Sequence, residues 1–132
     1  MKKTILLIML FHSMISFSQN TVKGNDQLVY DVNGIDVKPE FPEGLEKLNS
    51  YVKENLLKIG FETPKTSKKN TRSFATFVVE KEGSLSDVKI YGKMDSRQSE
   101  ELIRILKNSP KWNPGKQNGI IVRVLYLLQL NQ

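Results

Sequence analysis

The chain has 132 residues, enough for one domain, with 20 Lys and Arg against 14 Asp and Glu and a net charge of +6. It has no cysteine, and its one histidine is His12, near the N-terminus. These counts exclude disulfides and cysteine nucleophiles. They also leave any domain after the first segment without a histidine base and without histidine or cysteine ligands for zinc. We therefore expect no enzyme, no metal site and no cofactor.

The first eighteen residues have the layout of a secretory signal peptide. Lys2 and Lys3 form a positively charged start, the apolar run Ile5–Phe11 follows, and small residues precede a cleavage site between Ser18 and Gln19. Since the apolar run is shorter than the roughly 20 residues that span a bilayer, we expect cleavage. The alternative is an uncleaved N-terminal anchor. Cleavage leaves eighteen basic and fourteen acidic residues, a net charge of +4.

Residues 19–36, which follow the signal segment, are polar and carry scattered Gly, Asn and Asp. They are predicted to form a flexible leader that either packs against the domain or stays loose. Within the leader, residues 27–32 can form a short strand followed by a turn at Asn33 and Gly34. The domain itself is predicted to cover residues 37–132.

Two amphipathic helices are predicted in the domain. The first covers residues 43–59 and ends at Gly60, because glycine readily adopts the left-handed conformation of a helix C-terminus. The second begins at a cap formed by Asp95 or Ser96 and ends before Pro110. The apolar face of the first helix is predicted from residues at helical spacing, namely Leu45, Leu48, Val52, Leu56 and Ile59.

Between the two helices the sequence predicts a β-hairpin. Its strands are Phe74–Glu80 and Leu85–Tyr91, in which side chains alternate at the period of a strand. The turn contains Gly83. With the final strand described next, the element order of the domain is α-β-β-α-β.

The most informative stretch of the chain is a corner followed by that final strand. Pro110, Pro114 and Gly115 exclude a helix and fix a rigid corner, which also contains Trp112. The β-branched and aliphatic run that follows predicts a strand. If the strand lies at the edge of the sheet, its unpaired backbone groups are a template for an added strand. The residues expected to form this partner-binding edge are Ile121, Val122, Arg123, Val124, Leu125, Tyr126, Leu127 and Leu128.

The two faces of the final strand are both largely apolar, which is more than one layer of helices requires. The odd-numbered side chains from Ile121 to Gln129 lie opposite the even-numbered ones from Val122 to Leu130. One face is therefore expected to meet a partner, a second copy of the chain or the leader.

Three groups of side chains each have two interpretations. Trp112 is a recognition residue or, as we favour, an anchor of the core. The basic cluster of Lys65, Lys68, Lys69 and Arg72 binds phosphate groups or, as we favour, belongs to a solvated loop. Because no aromatic residues are interleaved with this cluster, we expect no binding of nucleic acid. Structural roles, rather than catalysis, are assigned to the acidic residues Asp87, Asp95, Glu100 and Glu101.

Four local motifs occur in a characteristic order. They are Pro39–Pro42 before the first helix, Phe77–Lys81 in the hairpin, Ser84–Val88 in its second strand and Pro110–Gly119 before the last strand. In these motifs and in the order of its elements, the chain resembles the C-terminal domain of TonB-type energy transducers, especially the short form common in Bacteroidota. The last motif is the most specific, and the resemblance covers residues 37–130.

The resemblance implies an α+β fold in two layers, with two helices on one face of a three-stranded antiparallel sheet. It also implies that the domain lies in the periplasm and binds the TonB box, a short extended segment of outer-membrane receptors, by adding it to the sheet beside the last strand. Inner-membrane proton-channel proteins would be further partners if the N-terminus stays uncleaved, and a homodimer is another option. The alternative is a stand-alone periplasmic interaction module without energy coupling, which dimerises, regulates transducers or binds cell-wall polymer.

Overall fold

The computed structural model of the chain describes residues 27–61 and 73–130. In these segments, two α-helices pack on one face of a five-stranded mixed sheet. The helices are α1, Leu45–Lys58, and α2, Ser96–Lys107. The strands are β1, Val29–Asp31; β2, Phe74–Val79; β3, Leu85–Tyr91; β4, Gly115–Gln117; and β5, Ile120–Gln129. A short 3-10 helix, Val32–Gly34, follows β1.

The predicted α+β class, the two helices, the hairpin and the final strand are confirmed. The predicted sheet of three antiparallel strands is wrong, because β1 and β4 add two strands and β1 runs parallel to its neighbour. The predicted signal segment and the basic cluster at residues 65–72 lie outside the described residues.

Local chemistry sets the helix ends. At the start of α2, the Asp95 carboxylate accepts a hydrogen bond from the Gln98 N–H at 2.8 Å, which confirms Asp95 as the cap. At the end of α1, Gly60 has a φ of 81° and the Phe61 N–H donates to the Leu56 carbonyl at 3.0 Å. This is the glycine-terminated geometry that the sequence predicts.

The core lies between the helices and the sheet. Tyr51 of α1 donates its hydroxyl hydrogen to the Ile105 carbonyl of α2 at 2.9 Å, which ties the two helices together. Burying a large apolar side chain stabilises the fold by about 1.5–3 kcal/mol. The largest fully buried side chains are Phe77, Leu48, Leu102, Leu106, Val79 and Val124.

The order of strands in the sheet is β1-β5-β2-β3, and β4 also pairs with β5. β2 is antiparallel to both β3 and β5, whereas β1 is parallel to β5. The final strand is therefore inside the sheet along part of its length.

The described part of the predicted leader packs against the domain. Val29–Asp31 pairs with Arg123–Leu125 of β5. Beyond this strand, the Asp36 carboxylate accepts a hydrogen bond from the Asn118 N–H at 2.8 Å, and the Asp36 N–H donates to the Gln117 side-chain oxygen at 3.0 Å. Of the two states that the sequence leaves open for the leader, residues 27–36 adopt the packed one.

Candidate functional site

The predicted edge strand, β5, has different neighbours along its length. Val124 and Leu125 pair with both β1 and β2, Arg123 pairs with β1, and Ile120–Val122 pair with β4. The prediction of a free edge is therefore wrong at Arg123, Val124 and Leu125, because the leader pairs with these three residues. In the part of the chain that the structure describes, Tyr126–Gln129 pair with β2 alone. We call these four residues the open edge.

One hydrogen bond fixes which backbone groups of the open edge face away from the sheet. The Leu130 N–H donates to the Ser73 carbonyl at 3.0 Å, across the ladder between β5 and β2. In an antiparallel pair, successive residues direct their backbone groups alternately toward and away from the partner strand. Because the register of β2 and β5 is continuous, the N–H and C=O groups of Leu127 and Gln129 face away from β2.

The other long edge of the sheet is the outer side of β3, and its geometry disfavours an added strand. The β2–β3 ladder is irregular between Thr76 and Val78, and Asp87 has a φ of 48°. The exposed Lys89 ammonium lies 3.6 Å from the Asp87 carboxylate. Bulges and exposed charges hinder the pairing of an edge strand with another chain. Among the described strands, the open edge is therefore the better site for strand addition.

Trp112 anchors the corner that precedes β5. Its side chain is buried, and its backbone N–H donates to the Gly83 carbonyl at 2.9 Å. A Cβ atom at Gly83 would lie 2.2 Å from the Trp112 carbonyl oxygen, so only glycine fits there. The preferred interpretation of Trp112 as a core anchor is confirmed. Of the other predicted corner residues, Gly115 is buried, Pro114 is half-buried and Pro110 is exposed.

The corner also contains β4, which the sequence analysis does not predict. Gly115–Gln117 pairs with Ile120–Val122 across a two-residue turn at Asn118 and Gly119, whose φ angles are 52° and 74°. An Asn-Gly pair between two strands is a strong hairpin signal. The sequence therefore contained the signal for this hairpin.

Arg123, one of the predicted partner-binding residues, is engaged by Glu80. The Arg123 Nε and Nη2 atoms donate to the two oxygens of the Glu80 carboxylate at 2.8 and 3.0 Å, and the Ser86 hydroxyl donates to the same carboxylate. These hydrogen bonds, that of Arg123 above all, hold the pKa of Glu80 below its ordinary value. Arg123 therefore has a structural role in joining β5 to the end of β2.

A cavity of about 240 Å³ is lined in part by Tyr126, the first residue of the open edge. Its lining combines aromatic and aliphatic side chains, which range from buried to exposed, with two exposed charged ones. It consists of Lys38, Pro39, Glu40, Phe41, Leu45, Leu48, Trp112 and Tyr126. The Trp112 ring packs edge-on against Phe41 and Tyr126, with ring centroids 5.7 and 5.3 Å apart. We call this space the Tyr126 cavity.

Tyr126 joins the cavity to the open edge. It is half-buried, lines the cavity and is also the first residue of β5 after the segment that pairs with β1. Burial, and secondarily the negative charge of Glu40, raise the pKa of the Tyr126 hydroxyl above its ordinary value. The hydroxyl therefore stays neutral at physiological pH.

Three of the four acidic residues considered in the sequence analysis, Asp87, Asp95 and Glu101, have structural partners. Asp87 lies near Lys89, Asp95 caps α2, and the Glu101 carboxylate accepts a hydrogen bond from Arg104 at 2.6 Å. Among the residues that the structure describes, no group of three His, Cys, Asp or Glu side chains is placed to hold a metal ion. Neither of the helices in residues 27–61 and 73–130 has the length and hydropathy of a membrane-spanning helix.

Comparisons of the chain with protein-family models, with curated proteins and with solved structures gave no match. Within the described residues, the open edge presents the backbone groups of Leu127 and Gln129 on the side away from β2, and Tyr126 at its start also lines the cavity.

Proposed function

We propose that this chain is a TonB-like binding module of the periplasm. On this proposal it engages the TonB box of outer-membrane receptors by β-strand addition and so supports energy-dependent transport. The motifs Pro39–Pro42 and Pro110–Gly119 support the likeness to TonB C-terminal domains, and so does the order of helix, hairpin, helix and final strand. The finer fold is then a TonB C-terminal domain to which β1 and β4 have been added.

The observation that carries the proposal is the open edge. Within the described residues, Tyr126–Gln129 have no strand neighbour on the side away from β2. Leu127 and Gln129 direct their backbone groups to that side, and extended peptides bind such edges through main-chain hydrogen bonds. This mode of binding needs no catalytic side chain.

The number of free backbone groups limits the affinity of the open edge. The N–H and C=O groups of Leu127 and Gln129 offer four hydrogen bonds, each worth about 0.5–1.5 kcal/mol net, or about 2–6 kcal/mol together. Since a binding free energy of about 4.1 kcal/mol corresponds to a Kd of about 1 mM, backbone pairing alone gives weak binding. Side-chain contacts must therefore supply the rest of the affinity.

Synthetic peptides that copy the N-terminal segments of outer-membrane receptors test the proposal. Each peptide is titrated against the mature chain by calorimetry, and each backbone N–H of the tightest binder is then replaced in turn by an N-methyl group. Since a strand directs alternate N–H groups to its neighbour, we expect N-methylation to abolish binding at alternate positions. Equal tolerance of N-methylation at every position would contradict strand addition.

A pair of variants at one position tests the same edge from the protein side. Leu127→Pro removes the outward N–H, whereas the ladder with β2 is made by the even-numbered residues of β5. Leu127→Ala keeps the N–H and serves as the matched control. We expect the proline variant to bind the peptide at least about tenfold more weakly than the alanine variant, which corresponds to about 1.4 kcal/mol. Circular dichroism checks the fold; a folded proline variant that binds as tightly as the control would exclude this edge.

Energy coupling depends on what happens to residues 1–18. Cell fractionation followed by N-terminal sequencing decides between the two alternatives of the sequence analysis. A protein that begins at Gln19 and is recovered from the soluble periplasm cannot couple directly to the proton channel. That result would favour the stand-alone interaction module, which uses the same open edge.

A further inference from the structure

We propose that β1 is an autoinhibitory strand. Val29–Asp31 occupies the first part of the binding edge, and the peptide of the partner displaces it to pair with Arg123–Gln129. The inference rests on the proposed function, because it adds a form of regulation to the same edge. It is carried by the pairing of β1 with Arg123, Val124 and Leu125, directly before the open edge.

The backbone pattern of β5 places β1 and the outward groups of the open edge on one side of the strand. The Leu130 N–H donates to the Ser73 carbonyl, so the even-numbered residues of β5 bond with β2. From Arg123 onward, the residues that face away from β2 are Arg123, Leu125, Leu127 and Gln129. Because β1 is the neighbour of β5 on that side, it covers the first two of these positions. Its release would double the number of outward positions that a peptide can pair with.

Side-chain burial shows that β1 is weakly held. β1 has three residues, none of them buried, and the 3-10 helix Val32–Gly34, which contacts β5 directly after β1, has no buried residue either. By contrast, β2 on the other side of β5 buries four of its six residues. Detachment of Val29–Gly34 therefore withdraws no fully buried side chain of the leader. Segments with few buried contacts open locally, well below the free energy of global unfolding.

The leader is fastened to the domain just beyond the 3-10 helix, so β1 can leave while the rest stays in place. The Val37 N–H donates to the Lys116 carbonyl at 3.0 Å, and the Lys116 N–H donates to the Val37 carbonyl at 2.9 Å. The two hydrogen bonds of Asp36 with Gln117 and Asn118 lie next to this pair. A displaced β1 therefore remains tethered near the edge, at a high effective concentration, and pairs again when the peptide leaves.

The cross-strand pair that β1 forms at Leu125 is a poor one, which gives a peptide its advantage. Asp31 lies opposite Leu125, and residues opposite each other in adjacent strands share a face. Aspartate is disfavoured in strands, and Leu125 stays 42% exposed beside it. A peptide with a β-branched or aromatic residue at this position covers Leu125 and forms a favourable pair. The fitting partner is therefore an extended segment with an apolar residue there, longer than the open edge.

An engineered disulfide tests the competition within one protein. Asp31→Cys combined with Leu125→Cys places cysteines at directly paired positions, and the chain has no other cysteine with which they could bond. The oxidised form holds β1 in place, and the reduced form is its matched control. By calorimetry, we expect the oxidised form to bind the tightest receptor peptide at least about tenfold more weakly, because each backbone hydrogen bond contributes a factor of about two to ten. Equal binding would overturn the competition.

Amide hydrogen exchange of the wild-type protein gives a test that needs neither variant nor peptide. The Leu125 N–H is on the side of β1, whereas the Tyr126 N–H is on the side of β2. If β1 opens locally, the Leu125 N–H should exchange at least about 100-fold faster than the Tyr126 N–H. Equal rates would mean that β1 leaves only when the domain unfolds, and the proposal would be wrong.

The response of β1 to the peptide separates this proposal from the function on which it rests. On saturation with the tightest receptor peptide, the amide resonances of Val29–Asp31 should move to the positions of an unpaired chain. If N-methylation of the peptide shows the alternating pattern but these resonances stay unchanged, strand addition stands and the displacement is wrong. If the alternating pattern is absent, strand addition is wrong and the displacement falls with it.

Discussion

Replacement of Gly83 by alanine should be among the most destabilising single-methyl changes in this protein. Gly83 has a φ of 90°, in the left-handed region that side chains disfavour. The added Cβ would lie 2.2 Å from the carbonyl oxygen of Trp112 and 2.9 Å from its nitrogen. Both are backbone atoms, which cannot rotate away, so the alanine has to break the hydrogen bond between the Trp112 N–H and the Gly83 carbonyl.

The expected loss of stability is the sum of two costs, the strain of a side chain in left-handed backbone and the broken hydrogen bond. Placing a side chain in left-handed backbone costs about 1–2 kcal/mol, and leaving a buried hydrogen-bonding group unpaired costs about 1–3 kcal/mol. We expect Gly83→Ala to lower the free energy of unfolding by about 2–5 kcal/mol. Gly119→Ala is the matched control, because Gly119 has a φ of 74° and open space around its Cβ position. It should cost only the backbone contribution, about 1–2 kcal/mol.

Urea unfolding followed by tryptophan fluorescence measures both variants. Trp112 is the one tryptophan of the chain and lies at the contact itself, so its emission reports the relevant part of the fold. If Gly83→Ala is no more destabilising than Gly119→Ala, the close approach of the hairpin turn to the corner is not a constraint on this fold.

Two further substitutions test individual contacts. Glu80→Gln weakens the ion pair with Arg123 and should lower the free energy of unfolding by about 1.5–3 kcal/mol at pH 7. Because folding lowers the pKa of Glu80 from its ordinary 4.5, this stability is present above about pH 4.5 and is lost as the pH falls through the folded value. Urea unfolding from pH 7 to pH 3 should therefore show the gap between wild type and variant closing in acid, and a gap that stays constant would refute the role of the charge. Asp95→Ala removes the cap of α2 and should cost about 1 kcal/mol in thermal unfolding, whereas Asp95→Asn keeps the cap and should cost less; equal losses would argue against capping.

Local signals predicted the helices and the hairpin because the interactions that define them lie within a few residues. Gly60 ends α1 and Asp95 begins α2 through hydrogen bonds to residues one turn away. The hairpin strands follow the two-residue alternation of their side chains. The helix over residues 43–59 was predicted slightly too long, since helix ends are set by backbone geometry that the apolar spacing does not specify.

The parts that the sequence did not predict depend on contacts between distant segments. Val29–Asp31 is a three-residue strand with a weak local signal, and its parallel partner, β5, lies at the other end of the chain. The sequence identified β5 as the candidate binding strand, but which of its residues are open depends on where β1 stops. The Tyr126 cavity likewise joins the approach to α1, the helix itself, the corner and β5, which no spacing in the sequence connects.

The position of β1 has a consequence for the alignment of any added strand. Because β1 already occupies the margin of β5 as far as Leu125, and Val32–Gly34 follows it in contact with β5, an added strand has to lie beyond both while they stay in place. A shift of one residue in a strand turns every side chain to the opposite face. By blocking the positions before Tyr126, Val29–Asp31 would exclude every register in which a bound peptide pairs with Arg123–Leu125.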